Sequence, residues 1–419
     1  MASMVGCGLV STDTPEDTSD SADATTADTT ETVPFNEPVS LPTTGAEKTL
    51  KLNSSTIGIH VLGKRVLANR NYLNCDYSGS GIEFTVDMQG GDLTVLTRAD
   101  GACNFLVWVD GNPYQATAES IYLTLNGDGE LVIKGIPYGK HTVRIVKVTG
   151  YEQAQAKFFS ITLHGSLLTS DAPVEKDIYV EFLGGDAASG LGVLGNGSDT
   201  YTGQDATKAY PYLLAEQLDT EYNVLALSDS QLMQSMSEAF LYASIKKDSK
   251  TEYDFEKQAD VTVIHISADN QDAEAFRTSY RQLVKAVKAK NGENSRIVCV
   301  YNQAETVTKN AVTAVCEELG GAEKGYFSIG VSQKDKGVLT AQEQQSLAQA
   351  LTAVLQEAIN TELIPGDDPI QPDDPDQPDQ PINPAPPENL DVPGEGNDLQ
   401  LGEGDVEIKI DNNDPAWKA

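Results

Sequence analysis

The chain changes its hydrophobic period once, near residue 172, and that change limits it to a few fold classes. Between residues 55 and 165 apolar side chains recur at every second position in short runs: Ile57–Leu62, Ile82–Val86, Leu93–Leu96, Asn104–Val109, Leu131–Ile133, His141–Val148 and Phe158–Leu163. Clusters of turn-forming residues separate them, at Tyr77–Gly81, Asp110–Pro113, Asn126–Gly129 and Pro137–Lys140. Seven or more strands at this spacing predict an N-terminal β-sandwich, jelly-roll-like, with no helical layer inside it.

Beyond residue 172 the period alternates. Strands are expected at Ile178–Leu183, Tyr222–Ser228, Val261–Ser267, Arg296–Tyr301 and Gly325–Val331, and helices at Ala206–Leu218, Ser235–Lys246, Asp272–Lys288, Ala304–Leu319 and Ala341–Ile359. Five strands alternating with helices imply a parallel sheet covered on both faces, a three-layer α/β/α arrangement. Such sheets bind ligands past the carboxyl ends of their strands, so chemistry is expected on the loops that begin at 184, 229, 267, 302 and 332.

Charge marks the ends of the folded part. The formal charge is -34, of which residues 1–47 carry -9 and residues 365–419 carry -13. The first of these tails is a Thr/Asp/Ser/Ala run without periodicity, and the second opens on ten prolines interleaved with Asp and Gln. Neither holds enough apolar surface to offset backbone entropy. The expected organisation is a disordered acidic tether over 1–49, a β-sandwich over 50–168, an α/β domain over 172–362, a Pro/Asp-rich linker over 363–398 and a short C-terminal segment over 399–419. A chain this acidic has no general attraction for nucleic acid phosphates, which excludes nucleic acid as a default partner. No apolar stretch reaches the 18 residues that a membrane span requires.

The five cysteines, at 7, 75, 103, 299 and 316, show neither CxxC spacing nor zinc-like intervals to histidine. Cys75 and Cys103 are either bridged or a pair of buried free thiols. Cys7 closes the run Met4-Val5-Gly6-Cys7, which resembles the end of a bacterial lipoprotein signal, where the cysteine is lipidated. That resemblance implies a lipid anchor on the extracellular side of a bacterial cell membrane, with the acidic tether as spacer.

Four runs, in order, carry a wider resemblance: Asn104–Gly111 (NFLVWVDG), Gly139–Lys147 (GKHTVRIVK), Ile178–Gly184 (IYVEFLG) and Ala209–Glu216 (AYPYLLAE). Over residues 50–360 the chain resembles carbohydrate esterase family 2, the acetyl xylan esterases that pair an N-terminal β-sandwich with an SGNH hydrolase domain. The family resemblance implies a serine nucleophile after the first parallel strand, oxyanion donors from a glycine and an asparagine, and an Asp-x-x-His pair before the last helix. None of these blocks is intact. The first reads Gly184-Gly185-Asp186-Ala187, so the serine is replaced by Asp186 or Ala187. The glycine becomes Asp229, the asparagine becomes Asp269 (or Asn270 after a one-residue shift), and the Asp-x-x-His pair becomes Asp335 with Val338. An ionised aspartate accepts hydrogen bonds and would repel a developing oxyanion.

The residues therefore point to a pseudo-esterase on the cell surface that binds a plant or cell-wall polysaccharide or a surface protein. Trp108, Tyr114 and Tyr138 are candidate sugar-stacking side chains. Two alternatives stand beside this one: a working carbohydrate esterase with displaced machinery built on Ser189 or Ser228, and a surface scaffold that presents residues 399–419. No cofactor is expected, except that Asp186, Asp229, Asp269 and Asp335 would collect Ca²⁺ if they converged. His60, His141 and His164 read as strand residues and His265 as a structural residue inside an apolar strand.

Overall fold

The computed structural model describes residues 36–195, 200–228, 232–245, 250–268, 271–333 and 338–363. Up to residue 167 every strand pairing is antiparallel, within one nine-stranded sheet. Its backbone is the strand Gly81–Val109, paired along its length with Tyr122–Ile133, Tyr138–Lys147 and Ala156–Leu167. The runs expected as separate strands at 82, 93 and 104 are thus one continuous strand. Gly90 and Gly91 take φ of +75° and +95°, which bends the strand without ending it.

The expected turn at Asn126–Gly129 is also absent. Asn126 pairs with Ala102 and Asp128 with Arg98, and the register shift between these pairs absorbs Gly127 at φ +99°. Turn-type residues serve here as an irregularity inside a ladder. The strand Glu47–Lys51 pairs with 160–164, and Ser40 Oγ donates to Asp92 Oδ2 at 2.5 Å, so this stretch is fastened to the sheet.

From residue 179 the chain forms a five-stranded parallel sheet from Tyr179–Gly184, Glu221–Ala226, Val261–His265, Arg296–Asn302 and Tyr326–Val331. Counting them first to fifth in chain order, the spatial order is second, first, third, fourth, fifth, with all pairs parallel. Strand residues alternate between the faces. Val180, Phe182, Val263 and Val298 meet α2 (Tyr210–Leu218) and α6 (Ala341–Asn360), whereas Leu183, Ile264, Ile297 and Cys299 meet α3 (Leu232–Ala239), α4 (Ala273–Asn291) and α5 (Thr306–Glu318). Asp272 accepts the Glu274 and Ala275 N–H groups to start α4, and a Thr340/Glu343 capping box starts α6.

Two expected helices are shortened. Residues 206–208 form a separate turn before α2, because Asp205 accepts the Thr207 N–H and holds that turn on its own. The helix expected to reach Lys246 stops at Ala239 and gives way to the strand Tyr242–Ser244. Here the Phe240 and Tyr242 carbonyls accept hydrogen bonds from Arg65 Nη1 at 2.8 and 2.9 Å.

Arg65 comes from the antiparallel half and is buried in the α/β half. Its Nε and Nη2 donate to the two oxygens of Glu181 in the first parallel strand at 2.6 and 3.3 Å. The rings of Tyr253, Phe240 and Phe255 surround the guanidinium, with centroids 4.3, 5.2 and 5.5 Å away. In a separate apolar cluster Leu62, Leu106, Val146 and Val148 join Val180, Phe182, Tyr212 and Tyr222, so the two halves share a core. His60 Nε2 lies 2.9 Å from Glu221 Oε1 and Nδ1 lies 3.4 Å from Glu83 Oε2, while Arg144 ties Glu83 to Glu216.

Removing one partner of the buried Arg65–Glu181 pair leaves an uncompensated charge, which costs about 3–5 kcal/mol. Arg65→Ala should lower urea-unfolding stability by that amount, and Arg65→Lys should recover little, since an ammonium cannot match the fork. Burial alone would lower the His60 pKa, but the Glu221 and Glu83 hydrogen bonds outweigh it and raise the imidazole to about 9. A raised histidine contributes stability that is complete below about pH 6.5 and is lost as pH climbs through 9. Stability should therefore fall between pH 6.5 and 9, and His60→Gln should flatten that part of the profile in thermal melts.

Candidate functional site at the parallel-sheet edge

The strand order reverses between the first and third parallel strands, where Gly184 pairs with His265. In parallel sheets of this kind ligands bind past the carboxyl ends of the strands at such a reversal. The first strand turns at Gly185 directly into α1 (Asp186–Ser189), which sets Asp186 at the strand-to-helix turn. Gly190 ends α1 in the left-handed region at φ +74°, and an added Cβ there would lie 2.5 Å from the Asp205 carbonyl oxygen. Ala187 and Ala188 are buried. Gln344, fully buried in α6, donates to the Ala187 carbonyl at 2.8 Å and accepts the Tyr210 N–H at 2.8 Å, which locks α1, α2 and α6 together.

Ser228 follows the second strand at the same edge. Its Oγ donates to Asp186 Oδ1, and its N–H donates to Glu152 Oε1 at 2.6 Å. Glu152 belongs to the antiparallel half and was not among the expected site residues. In sequence it is one polar residue of Gly150-Tyr151-Glu152-Gln153, a plain turn, and only the packing of the halves brings it here. Partial desolvation of the carboxyl group raises the Glu152 pKa although the residue is exposed, the Ser228 N–H works against the rise, and the neighbouring Asp186 charge adds to it.

Ser189, the other displaced-nucleophile candidate, is buried. Its Oγ donates to the Asp186 carbonyl at 3.0 Å and accepts from Gln204 Nε2 at 3.0 Å. Val338 lies two residues before the Thr340 cap of α6, is 45% exposed, and leans on Gly192. An apolar side chain there can carry no proton. His265 is half-buried at the end of the third strand, edge-on to Tyr210 at 5.7 Å and hydrogen-bonded to the Gln333 side chain. Burial drives its pKa down to about 4 although Gln333 opposes the shift, so the ring is neutral at physiological pH.

A cleft of about 580 Å³ runs beside this edge between the fifth strand and α6, with Gln303, Ser332, Gln333, Thr340 and Gln342 among its walls. Asp229, Asp269, Asn270, Asp335 and Cys7 lie outside the described residues, so of the four aspartates considered for Ca²⁺ only Asp186 is described. Among the described residues no group of three or more His, Cys, Asp or Glu side chains could hold a metal ion. Cys75 and Cys103 are free buried thiols, as are Cys299 and Cys316.

The three aromatic candidates have different surroundings. Trp108 is half-buried against the core shared by the halves, and the Tyr114 hydroxyl accepts the Lys134 N–H at 2.9 Å. Tyr138 is 54% exposed.

No protein-family model matches the chain, and no curated protein matches it. Solved structures do. A family two carbohydrate esterase from Cellvibrio japonicus aligns with a TM-score of 0.65 at 17% identity, over 75% of this chain and 99% of its own. A family two carbohydrate esterase from Clostridium thermocellum in complex with cellohexaose gives 0.63 at 22% identity, over 71% and 98%. The acetyl xylan esterase Est2A from Butyrivibrio proteoclasticus gives 0.62 at 14%, over 75% and 100%. The chain thus has the fold of the SGNH-type carbohydrate esterases of family 2, as its four sequence runs suggest. Among the described residues no helix is long and apolar enough to cross a membrane.

A histidine whose pKa is depressed withholds a proton that the unfolded chain takes up, so it subtracts from stability as pH falls from about 6.5 towards 4. The His265 ring resonances should stay flat from pH 8 to pH 5 in an NMR titration. A midpoint above pH 6 would show that the ring is open to solvent and free to act as a base.

Proposed function

We propose that the protein is a pseudo-esterase, a non-catalytic binding protein that uses the esterase fold to hold a carbohydrate. One observation supports this reading most directly: the turn that presents a nucleophile in such folds carries Asp186 followed by a buried Ala187, and the position before α6 carries Val338. Without a serine at that turn and a histidine before α6 the serine–histidine acyl-transfer route is absent, and losses of members of such a unit are not made good by the remainder.

In this reading residues 50–168 are a jelly-roll-like β-sandwich domain and 172–362 the esterase-like domain. The residues ahead of the stretch fastened at Ser40 and Glu47–Lys51 are a tether from a lipidated Cys7 on the outer side of a bacterial membrane, and 363–398 a spacer that presents 399–419. The ligand is a plant or cell-wall polysaccharide, in keeping with the cellohexaose held by the Clostridium thermocellum structure. A surface protein partner is the outcome that remains if no polysaccharide binds. Fold alone does not fix a ligand, so binding carries the test.

The hydrogen bond from Ser228 Oγ to Asp186 favours one second reading, ester hydrolysis with Ser228 as nucleophile and Asp186 as proton acceptor. The two readings separate in one experiment. The pure protein should be retarded in native gels containing xylan or a soluble cellulose derivative, and should hydrolyse 4-nitrophenyl acetate no faster than buffer. Hydrolysis that disappears in Ser228→Ala with folding retained would establish the esterase instead. Restoring the missing pair, Asp186→Ser with Val338→His, should raise 4-nitrophenyl acetate hydrolysis at least tenfold above the parent. Either change alone should give almost nothing, because nucleophile and base act together.

A further inference from the structure

The amide of Ser228 stands two residues past the carboxyl end of the second parallel strand, next to Asp186, which follows the first. A backbone N–H in that position is a donor suited to the carboxylate or ester carbonyl oxygen of a ligand. In this protein the donor is taken. Glu152 Oε1 accepts it at 2.6 Å, and the Ser228 hydroxyl is spent on Asp186. Ionised carboxylates accept hydrogen bonds and donate none. A ligand arriving here meets acceptors, which suit the hydroxyl groups of a neutral sugar and repel a carboxylate.

We propose that Glu152, reaching over from the antiparallel half, is the specificity-determining residue of this edge: it occupies the Ser228 amide, admits hydroxyl-rich neutral ligands, and turns away ligands that present a carboxylate or ester carbonyl at that point. The inference deepens the carbohydrate-binding reading and rests on it for the identity of the ligand. The plug itself can be tested without any sugar. The charged groups that act on Glu152 are Asp186, which opposes its ionisation, and Lys147, which favours it. Both come from elements packed against its loop and remain in place in the variants below.

Sodium acetate is the probe for the plug. In the ¹⁵N-labelled full chain, acetate up to about 50 mM should leave the Ser228 amide resonance unmoved. In Glu152→Ala the same titration should give a saturable shift, because the donor is open. Glu152→Gln should behave like the parent, since its amide oxygen can keep the hydrogen bond without the charge; a shift in this variant equal to that of the alanine variant would assign the exclusion to charge alone and overturn occupancy. An identical response in the parent and Glu152→Ala would overturn the proposal outright. Glu152→Ser repeats the test if the alanine variant does not fold.

The second arm uses xylohexaose and a glucuronic acid-substituted xylo-oligosaccharide of similar length. The parent should bind the neutral sugar at least tenfold more tightly, and Glu152→Ala should reduce that ratio below threefold. An unchanged ratio would remove Glu152 as the determinant. If the parent binds neither sugar, the carbohydrate reading falls, while the acetate titration still decides whether Glu152 holds the amide.

Discussion

A guanidinium buried against a strand carboxylate decides how the two halves of this protein meet. Transferring the charges of Arg65 and Glu181 out of water costs several kcal/mol per ion unless geometry and further hydrogen bonds compensate, about the scale seen for buried ions generally. Here they do. Glu181 also accepts from Asn223 Nδ2 at 3.1 Å, and the remaining Arg65 donors fall on two carbonyls that would otherwise be left over where α3 ends. The pair therefore fixes the first parallel strand relative to the antiparallel half, and in the same contact it sets where α3 stops. Every residue of the sheet edge inherits its position from that arrangement.

In the proposed reading the edge differs from an acyl-transfer site in the sign of what Asp186 and Glu152 offer. Catalysis of that kind requires donors aimed at a growing negative charge. Asp186 and Glu152 converge on a single serine and supply acceptors instead. His265 is present in the right half of the molecule, yet it is spent inside the strand as a neutral ring between Tyr210 and Gln333.

The parallel sheet was readable in advance because its signals are local: apolar runs of strand length, helical periodicity, and strong caps at Asp272 and Thr340. All five strands fall within about three residues of their expected ends. The antiparallel half was less readable, since Gly90, Gly127 and their neighbours carry the same letters in a bend or an irregularity as in a turn, and only pairing partners distinguish these uses. The shortening of α3 depends on an arginine some 175 positions away in sequence. Glu152 was invisible for the same reason, because no spacing rule joins a turn residue in one half to a serine in the other. The positions of Asp186 and Val338 were accessible through the family resemblance, and their local surroundings bear on function only once Ser228, Glu152 and Gly192 are placed beside them.

The apolar cluster common to both halves has a consequence for ancestry. Leu62, Leu106, Val146 and Val148 would lose their cover if the antiparallel half were expressed without its neighbour, and Tyr222, whose hydroxyl reaches the Gly79 carbonyl, would lose its cover in the converse case. An exposed patch of that kind invites aggregation. A recombination event that carried one half alone into a new gene would thus deliver a sticky fragment, whereas one that carried residues from about 47 to 360 would deliver something able to fold. The heritable cassette is the joined pair, and the loop holding Glu152 travels with the edge on which it acts.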